Sequence, residues 1–473
     1  MRSKTSGAGS DEGITGKRLQ IMHLSPRSLK PYSGNARTHS AKQIRALEAS
    51  IRRFGYTQPA LISQHGEIIA GHGRVEAAKR LGLLTIPVIQ INHLSDVDRR
   101  AYILADNQLA LKAGWDKETL ATELQHLVEV GFDLEIVGFE APEVDLLLEV
   151  ADETRRDPNI EDVSPDAMPD RPAVTQRGDK WLLGSKGPHQ HELICGDSRD
   201  GNTIASLMGR DRATLLLSDP PYNVRIKNIS GKGRAQHKEF AMASGEMKEE
   251  EFIAFLREFL SDSIPVLKTE GLIYLFMDWR HLFELQTAAR LLDLALINLC
   301  VWNKSNGGMG SLYRSKHELV LIFGQGNRHR NNVELGKNGR NRTNVWDYAG
   351  VNTFRSQRGS ELAMHPTVKP VAMIADAVRD VTKQGDIVLD PFSGSGTTII
   401  AAEKTGRIAR AVEIDPHYCD VAVRRWEIFT GKTAVLAGTN ETFEAITERR
   451  HKPATRKQAR QLYLLAAHEG KRS

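Results

Sequence analysis

At 473 residues, with 40% hydrophobic content and a net charge of +5, the chain is too long for one typical domain and has the core-forming content for two or three. No window approaches the length and apolarity of a membrane-spanning helix, and the polar, Gly/Ser-rich start MRSKTSGAGSDEGITGKR lacks the apolar stretch of a signal peptide. Cys195, Cys300 and Cys419 stand far apart, with no metal-ligand spacing and no disulfide framework, so a soluble, cytoplasmic protein without a metal centre is expected.

In chain order, residues 1–17 read as a flexible leader and 18–115 as a small mixed unit. There, ALISQHGEIIAGHGR and TIPVIQI have strand character. SAKQIRALEASIRRFG and RVEAAKRLG have helical spacing, the first with Ser40 as N-cap and both closed by glycine. Residues 116–150 place apolar side chains at helical intervals and form a helical extension. The acidic, Pro-rich stretch 151–175 has no period and reads as a linker. From 176 to 435, apolar runs alternate with amphipathic segments: HELICGD, ATLLLSD, GLIYLFM, ALINLCVW, HELVLIFG, GDIVLDPF and IARAVEID. That alternation predicts a doubly wound, mainly parallel α/β sheet. Residues 436–473 are expected to be a basic tail, disordered apart from a short helix at RKQARQLYLLAAH. Basic residues also collect in 325–342, where five Lys/Arg face one Glu.

Two stretches carry chemistry. LSDPPYN, Leu217–Asn223, ends the apolar run ATLLL, and its two prolines stop ladder pairing while leaving Asp219 and Tyr222 at the exposed end of the strand. IVLDPFSGSGTTIIAAEKTG, residues 387–406, is a strand, a small-residue turn and a helix; its glycines allow a tight turn and a ligand lying on bare main chain. Glu413, about twenty residues on, ends the next strand, where an acid can accept from ribose hydroxyls. Taken alone, this turn and acid fit a dinucleotide enzyme and an S-adenosylmethionine enzyme comparably well.

DPPY and DPFSGSGTT, together with HPTVKP at 365–370 and the segment VWNKSNGGMGSLYRSKHELVLIFG, resemble the amino-methyltransferases that use S-adenosylmethionine to methylate exocyclic amines of DNA bases. The Gly-rich turn follows DPPY, the order of the circularly permuted beta class, and HELICGDS stands just before DPPY, as that permutation demands. The resemblance implies a permuted Rossmann-like domain acting on double-stranded DNA, possible as a homodimer. It casts the Asp219 carboxylate and Pro220 carbonyl as acceptors for the amine, with Pro221 holding the bend and Tyr222 stacking on a flipped base. It places Asp390, Phe392, Gly394 and Gly396 along the methionine end of the cofactor, Glu413 at the ribose and Asp197 at the adenine edge. Thr367, Lys369 and Pro370 close the methionine end, with His365 opening that segment in a structural role, and Trp302, Lys304, His317 and Glu318 shape the pocket wall. The polar segment 224–246 and Arg328, Arg330, Arg340 and Arg342 are candidates for DNA contacts. Asp rather than Ser in the first position of DPPY favours adenine N6 over cytosine N4. Restriction-modification, cell-cycle and phage-protective roles remain open.

LKPYSGNARTHSAKQIRALEASIRRFGYTQPALISQHGEIIAGHGRVEAAKRLGLLTIPVIQIN, within about 20–110, resembles the amino-terminal domain of the chromosome-partition protein ParB. Its turn, Gly71-His72-Gly73-Arg74, lacks an acid and an arginine of the nucleotide-binding box, so CTP hydrolysis is not expected and DNA binding or protein docking is. Two alternatives stand beside DNA methylation. One is methylation of RNA or of a glutamine amide, whose enzymes show Asn where Asp219 stands. The other is a DNA-binding partition factor with a vestigial methylase half.

Overall fold

The computed structural model describes residues 19–153, 172–185, 187, 189–224, 245–304, 312–326, 328–336, 340–349 and 368–451. The leader, most of the expected linker, most of the 224–246 segment, His365 and Thr367, and the tail beyond His451 lie outside these residues. Contacts divide the chain into two compact units, Met1–Leu127 with Phe132–Glu140, and Val128–Gly131 with Ala141–Ser473.

The first unit holds β1 (Ile21–Leu24), α1 (Ala41–Phe54), β2 (Ala60–Ile62), β3 (Ile68–Ala70), α2 (His72–Leu81), β4 (Ile86–Gln90), α3 (Asp96–Lys112) and most of α4 (Lys117–Glu129). The strands pair in the order β1-β4-β2-β3 over a core that includes Leu29, Ile62, Ile68, Val75 and Val88. α1 begins where expected: the Ser40 hydroxyl accepts from the Gln43 amide at 3.1 Å, and Gly55 follows its last turn at φ 81°.

The second unit continues through α5 (Ala141–Glu153), β5 (Lys180–Leu183), β6 (His191–Cys195), α6 (Gly201–Met208), β7 (Ala213–Ser218), α7 (Glu249–Ser263), β8 (Leu267–Met277), α8 (Leu282–Arg290), β9 (Ala295–Asn303), β10 (His317–Gly324) and β11 (Val345–Asp347). It closes with α9 (Val371–Val381), β12 (Ile387–Asp390), α10 (Thr397–Thr405), β13 (Ile408–Glu413), α11 (Pro416–Thr430), β14 (Ala434–Leu436) and α12 (Phe443–His451). Its ten strands run in the order β11-β9-β10-β8-β7-β12-β13-β6-β5-β14. β8, β7, β12, β13 and β6 are mutually parallel; β10 is antiparallel to β8 and β9, and β5 to β6 and β14. The central strands are continuous apolar runs because helices cover both faces. On one face Phe252, Phe255 and Phe259 of α7 meet Leu216, Ile273 and Leu275, while Met373, Ala377 and Val378 of α9 cover Leu215, Leu217 and Val388 on the other. Cys195, Cys300 and Cys419 are buried.

Folded structure extends past both boundaries expected for the 176–435 domain. Val174 and Thr175, the last residues of the expected linker, are buried, and their amides donate to the Asp420 carboxylate at 2.7 and 2.9 Å. The start of the expected tail is also folded: Phe443 and Ile446 of α12 are buried, and the Phe443 ring lies 5.1 Å from that of Trp181. Two apolar side chains three apart, in an otherwise polar stretch, are enough to seat that helix. Among the described residues, no helix is long and apolar enough to cross a membrane.

Candidate active site

Four acids gather at one edge of the sheet. β6, β13, β12 and β7 are adjacent and parallel, so their carboxyl ends align, and Asp197, Glu413, Asp390 and Asp219 stand at or just beyond them. From β12 the chain passes to β13 on one side, and from β7 to β8 on the other, which makes the β12/β7 boundary the reversal point where ligands settle in such sheets.

The glycine turn lies on one side of that boundary. Gly394 has φ 51° and nothing within 4 Å of where a Cβ would stand, leaving open space over bare backbone. Gly396, the N-cap of α10, has φ 81°, and a Cβ there would lie 2.7 Å from that of Ala422, so close packing of α10 on α11 requires glycine. Glu413 ties the turn to its own strand: it accepts from the Gly394 amide at 2.7 Å and from the Asp415 amide at 2.8 Å. Burial pushes its carboxyl up to about 7 despite those two bonds. Asp390 is likewise buried and pushed up to about 6, with the Ser218 hydroxyl donating to it at 2.6 Å and the Phe392 amide at 3.1 Å. It therefore laces the end of β12 to the end of β7. The Phe392 ring packs edge-on against Phe259, with centroids 4.9 Å apart.

Asp197 has a partner that the sequence did not announce. Arg199 grips it through Nε at 3.1 Å and Nη2 at 2.8 Å. Burial would raise the Asp197 carboxyl, but the Arg199 bonds and charge hold it below its ordinary value.

On the other side of the boundary, Asp219 leaves β7 and meets Lys369. The Lys369 ammonium bonds Asp219 Oδ2, the Tyr222 hydroxyl donates to Asp219 Oδ1, and Pro220 is buried behind them. Glu318 of β10 completes the group, with Oε2 3.2 Å from Lys369 Nζ and 3.3 Å from the Tyr222 hydroxyl, and Lys304 bonded to Oε1. Burial pushes Asp219 up; Lys369 opposes that push and Glu318 adds to it, leaving the carboxyl above its ordinary value. For Glu318 the cost of burial is overcome by Lys369 and Lys304, which hold it down at about 2. Lys304 also lies over the Trp302 ring, 4.6 Å from its centroid, and Trp302 donates to the Tyr348 carbonyl at 2.9 Å.

The structure thus brings together Asp219, Pro220, Pro221, Tyr222, Lys369 and Glu318 at one strand end, and Asp390, Phe392, Gly394, Gly396 and Glu413 at its neighbours. Pro370 serves as N-cap of α9. Thr367 lies outside the described residues. Asn223, the last residue of the LSDPPYN stretch, has a structural role that its sequence context does not signal. At φ 54°, its side chain accepts from the Gly245 and Met247 amides at 3.1 and 3.2 Å and donates to the Met247 carbonyl at 2.8 Å. It joins the chain before and after residues 225–244.

Two of the proposed DNA-contact arginines are corrected. Arg340 is 7% exposed and bonds Asp380 at 3.0 Å; Arg342 pairs with Asp380 at 2.8 Å and Asp376 at 3.3 Å. Both are committed to α9, and charges so paired in the interior are not free for phosphates. Arg328 is exposed.

Residues 213–424 match the family described as DNA methylase, 10–108 the ParB N-terminal domain, and 118–177 the ParB-methyltransferase HTH domain. The last spans the expected helical extension and linker. The ParB-like nuclease domain-containing protein YnaK of Escherichia coli (strain K12) is 46% identical over 84 residues, 18% of this chain and 97% of its own. The DNA adenine methyltransferase YhdJ of Escherichia coli (strain K12) is 27% identical over 256 residues, 48% of this chain and 81% of its own. The crystal structure of the M1.HpyAVI-SAM complex is similar at 20% identity and TM-score 0.36, covering 49% of this chain and 97% of its own.

Proposed function

The chain belongs to the N6/N4 DNA methyltransferases and carries a ParB N-terminal domain ahead of its methylase, and on that premise we propose that it methylates adenine N6 in double-stranded DNA, with S-adenosylmethionine as cofactor. The observation that carries the reading is the carboxylate of Asp219, followed by the Pro220 carbonyl, one strand away from the glycine turn.

An exocyclic amine is a poor nucleophile because its lone pair is delocalised into the ring. The Asp219 carboxylate and the Pro220 carbonyl accept its two N–H groups out of the ring plane, which favours a tetrahedral nitrogen with its lone pair directed away from the protein acceptors. They also stabilise the positive charge that develops there. Pro221 contributes no N–H that would compete for the Asp219 carboxylate. Tyr222 stacks on the flipped base. The cradle suits the cofactor: open space over Gly394 takes the methionine end, and the buried Glu413 and the Arg199-held Asp197 take the ribose and adenine ends. Bound there, S-adenosylmethionine supplies a sulfonium-activated methyl group.

Two observations support adenine. Ser218 is fully buried with its hydroxyl spent on Asp390, so Asp219 is the residue available to the amine. YhdJ, named as an adenine methyltransferase, is also a relative. Unmethylated plasmid incubated with the protein and labelled S-adenosylmethionine, then digested to nucleosides, should yield N6-methyladenine. N4-methylcytosine would overturn the base assignment, and unlabelled DNA the reaction.

Glu413 makes cofactor binding pH-dependent. Ribose hydroxyls donate to its ionised form, so S-adenosylhomocysteine affinity should rise between about pH 6 and 8, as a carboxyl near 7 ionises. Calorimetry across that range tests this, and Glu413→Gln should flatten the profile. For folding the sign is opposite. A carboxyl raised from 4.5 to about 7 adds stability that is present below pH 4.5 and lost as pH rises through 7.

A further inference from the structure

The carboxylate that must receive the target amine already has both oxygens in use, Oδ1 by the Tyr222 hydroxyl and Oδ2 by the Lys369 ammonium. A second carboxylate stands beside the same ammonium. Glu318 lies opposite Trp302 in the β10/β9 register, its Oε2 is 3.2 Å from Lys369 Nζ, and its Oε1 is held by Lys304 from just past the end of β9. The side chains of Lys369 and Glu318 are 6% and 15% exposed, so this is an interior ion pair and not a solvated one.

A neutral amine N–H is a weaker donor than an ammonium and cannot displace it from a buried carboxylate unaided. Nor can the ammonium retreat without a partner, because an unpaired buried cation is strongly disfavoured. With two carboxylates within reach of one Nζ, Lys369 can leave the first without becoming unpaired.

We propose that Glu318 is a positioning residue that takes over the Lys369 ammonium when the amino group of the flipped base claims Asp219. In the free protein Lys369 bridges the two acids; with the base in place it rests on Glu318. The handover frees an Asp219 oxygen for the amine and removes its counter-ion as positive charge develops on the nitrogen. Tyr222 can follow the same path, since its hydroxyl is 3.3 Å from Glu318 Oε2. The inference rests on the methyl-transfer reading and deepens it.

The test uses the full chain, Glu318→Gln, which keeps the shape and removes the charge, and Lys304→Met, which leaves Lys369 as the cation nearest Glu318. The first readout needs no turnover. It is the ratio of Kd values, with S-adenosylhomocysteine bound, for duplexes carrying the mapped target base or its des-amino analogue. The second is kcat at saturating DNA and cofactor. In the wild type the amino group should strengthen binding. Glu318→Gln should bring the ratio towards one and lower kcat about tenfold or more, with S-adenosylhomocysteine affinity retained. Lys304→Met should keep or widen the ratio. A Glu318→Gln protein with wild-type ratio and kcat overturns the proposal, as does equal loss in both variants, which would mark a shared structural role. Should Glu318→Gln not fold, Lys304→Met decides: a kept or widened ratio supports the handover, and a collapsed one overturns it. Wild-type protein that methylates no DNA defeats the functional reading and the handover with it, whereas an active wild type beside an unaffected Glu318→Gln defeats the handover alone.

Discussion

Asp219→Ala is expected to lower methyl transfer to DNA by a factor of ~10²–10³ or more, the scale of losing a preorganised group that meets developing charge, while the protein stays folded. The two halves of that result have separate origins. On the proposed mechanism, catalysis loses the carboxylate that accepts the amine, and the Pro220 carbonyl alone cannot hold both N–H groups. The fold survives because neither neighbour of Asp219 is stranded: Lys369 keeps Glu318 at 3.2 Å, and the Tyr222 hydroxyl keeps it at 3.3 Å. Burial pushes the Asp219 carboxyl above its ordinary value because its charged form is poorly solvated, so removing it relieves that cost. A site strained for function commonly carries such a cost to stability. Label transfer to plasmid DNA and thermal unfolding, measured on the same preparation, check both halves. A variant retaining more than about a tenth of the wild-type rate would remove Asp219 from the chemistry.

How far the site could be read in advance depended on what surrounds each residue. Asp197, Asp219, Asp390 and Glu413 each follow an apolar run, and runs without alternation mark strands covered on both faces, whose ends are then visible. The edge strands β11 and β14, and β5 beside β14, have three or four residues each, too short for a period to show in the sequence. Ion pairing was the larger gap. Arg340 and Arg342 sit in a basic, Gly/Asn-rich stretch that reads as a loop for phosphates, and their partners lie more than thirty residues on. A signal did exist on the partner side. Asp376 and Asp380 are four apart in the helix VAMIADAVRDV, whose remaining residues are apolar apart from Arg379, and two acids on a buried helical face require more basic partners than that one arginine. Lys369 and Glu318 are a similar case: the resemblance assigns one to the methionine end and the other to the pocket wall, and only the fold places them 3.2 Å apart.

A second large effect concerns the opposite end of β13. Asp145→Ala is expected to destabilise the second unit by about 3–5 kcal/mol, the cost of leaving one member of a buried ion pair without the other. Asp145 of α5 has a side chain 3% exposed, and that of Arg407, just before β13, is fully buried. The guanidinium grips both carboxylate oxygens, at 2.5 and 2.9 Å, and also donates to the Thr405 and Thr382 carbonyls at 2.6 and 2.8 Å. Gln384 adds a bond to Asp145 at 2.7 Å, and Glu149, one turn along α5, pairs with Arg379 at 3.1 Å. Alanine would leave the Arg407 charge in the interior with only neutral acceptors. Replacing both partners by apolar groups, as in Asp145→Leu with Arg407→Met, should cost much less, because no charge then remains uncompensated. Urea unfolding of the single and double variants distinguishes the two cases; equal losses would show that packing, and not the stranded charge, sets the cost. α5 falls within the segment matching the ParB-methyltransferase HTH domain, so this ion pair anchors part of that segment to the strand whose other end carries Glu413. An Asp145→Ala protein should therefore weaken the cofactor site only as it unfolds, with S-adenosylhomocysteine affinity unchanged in whatever fraction remains native.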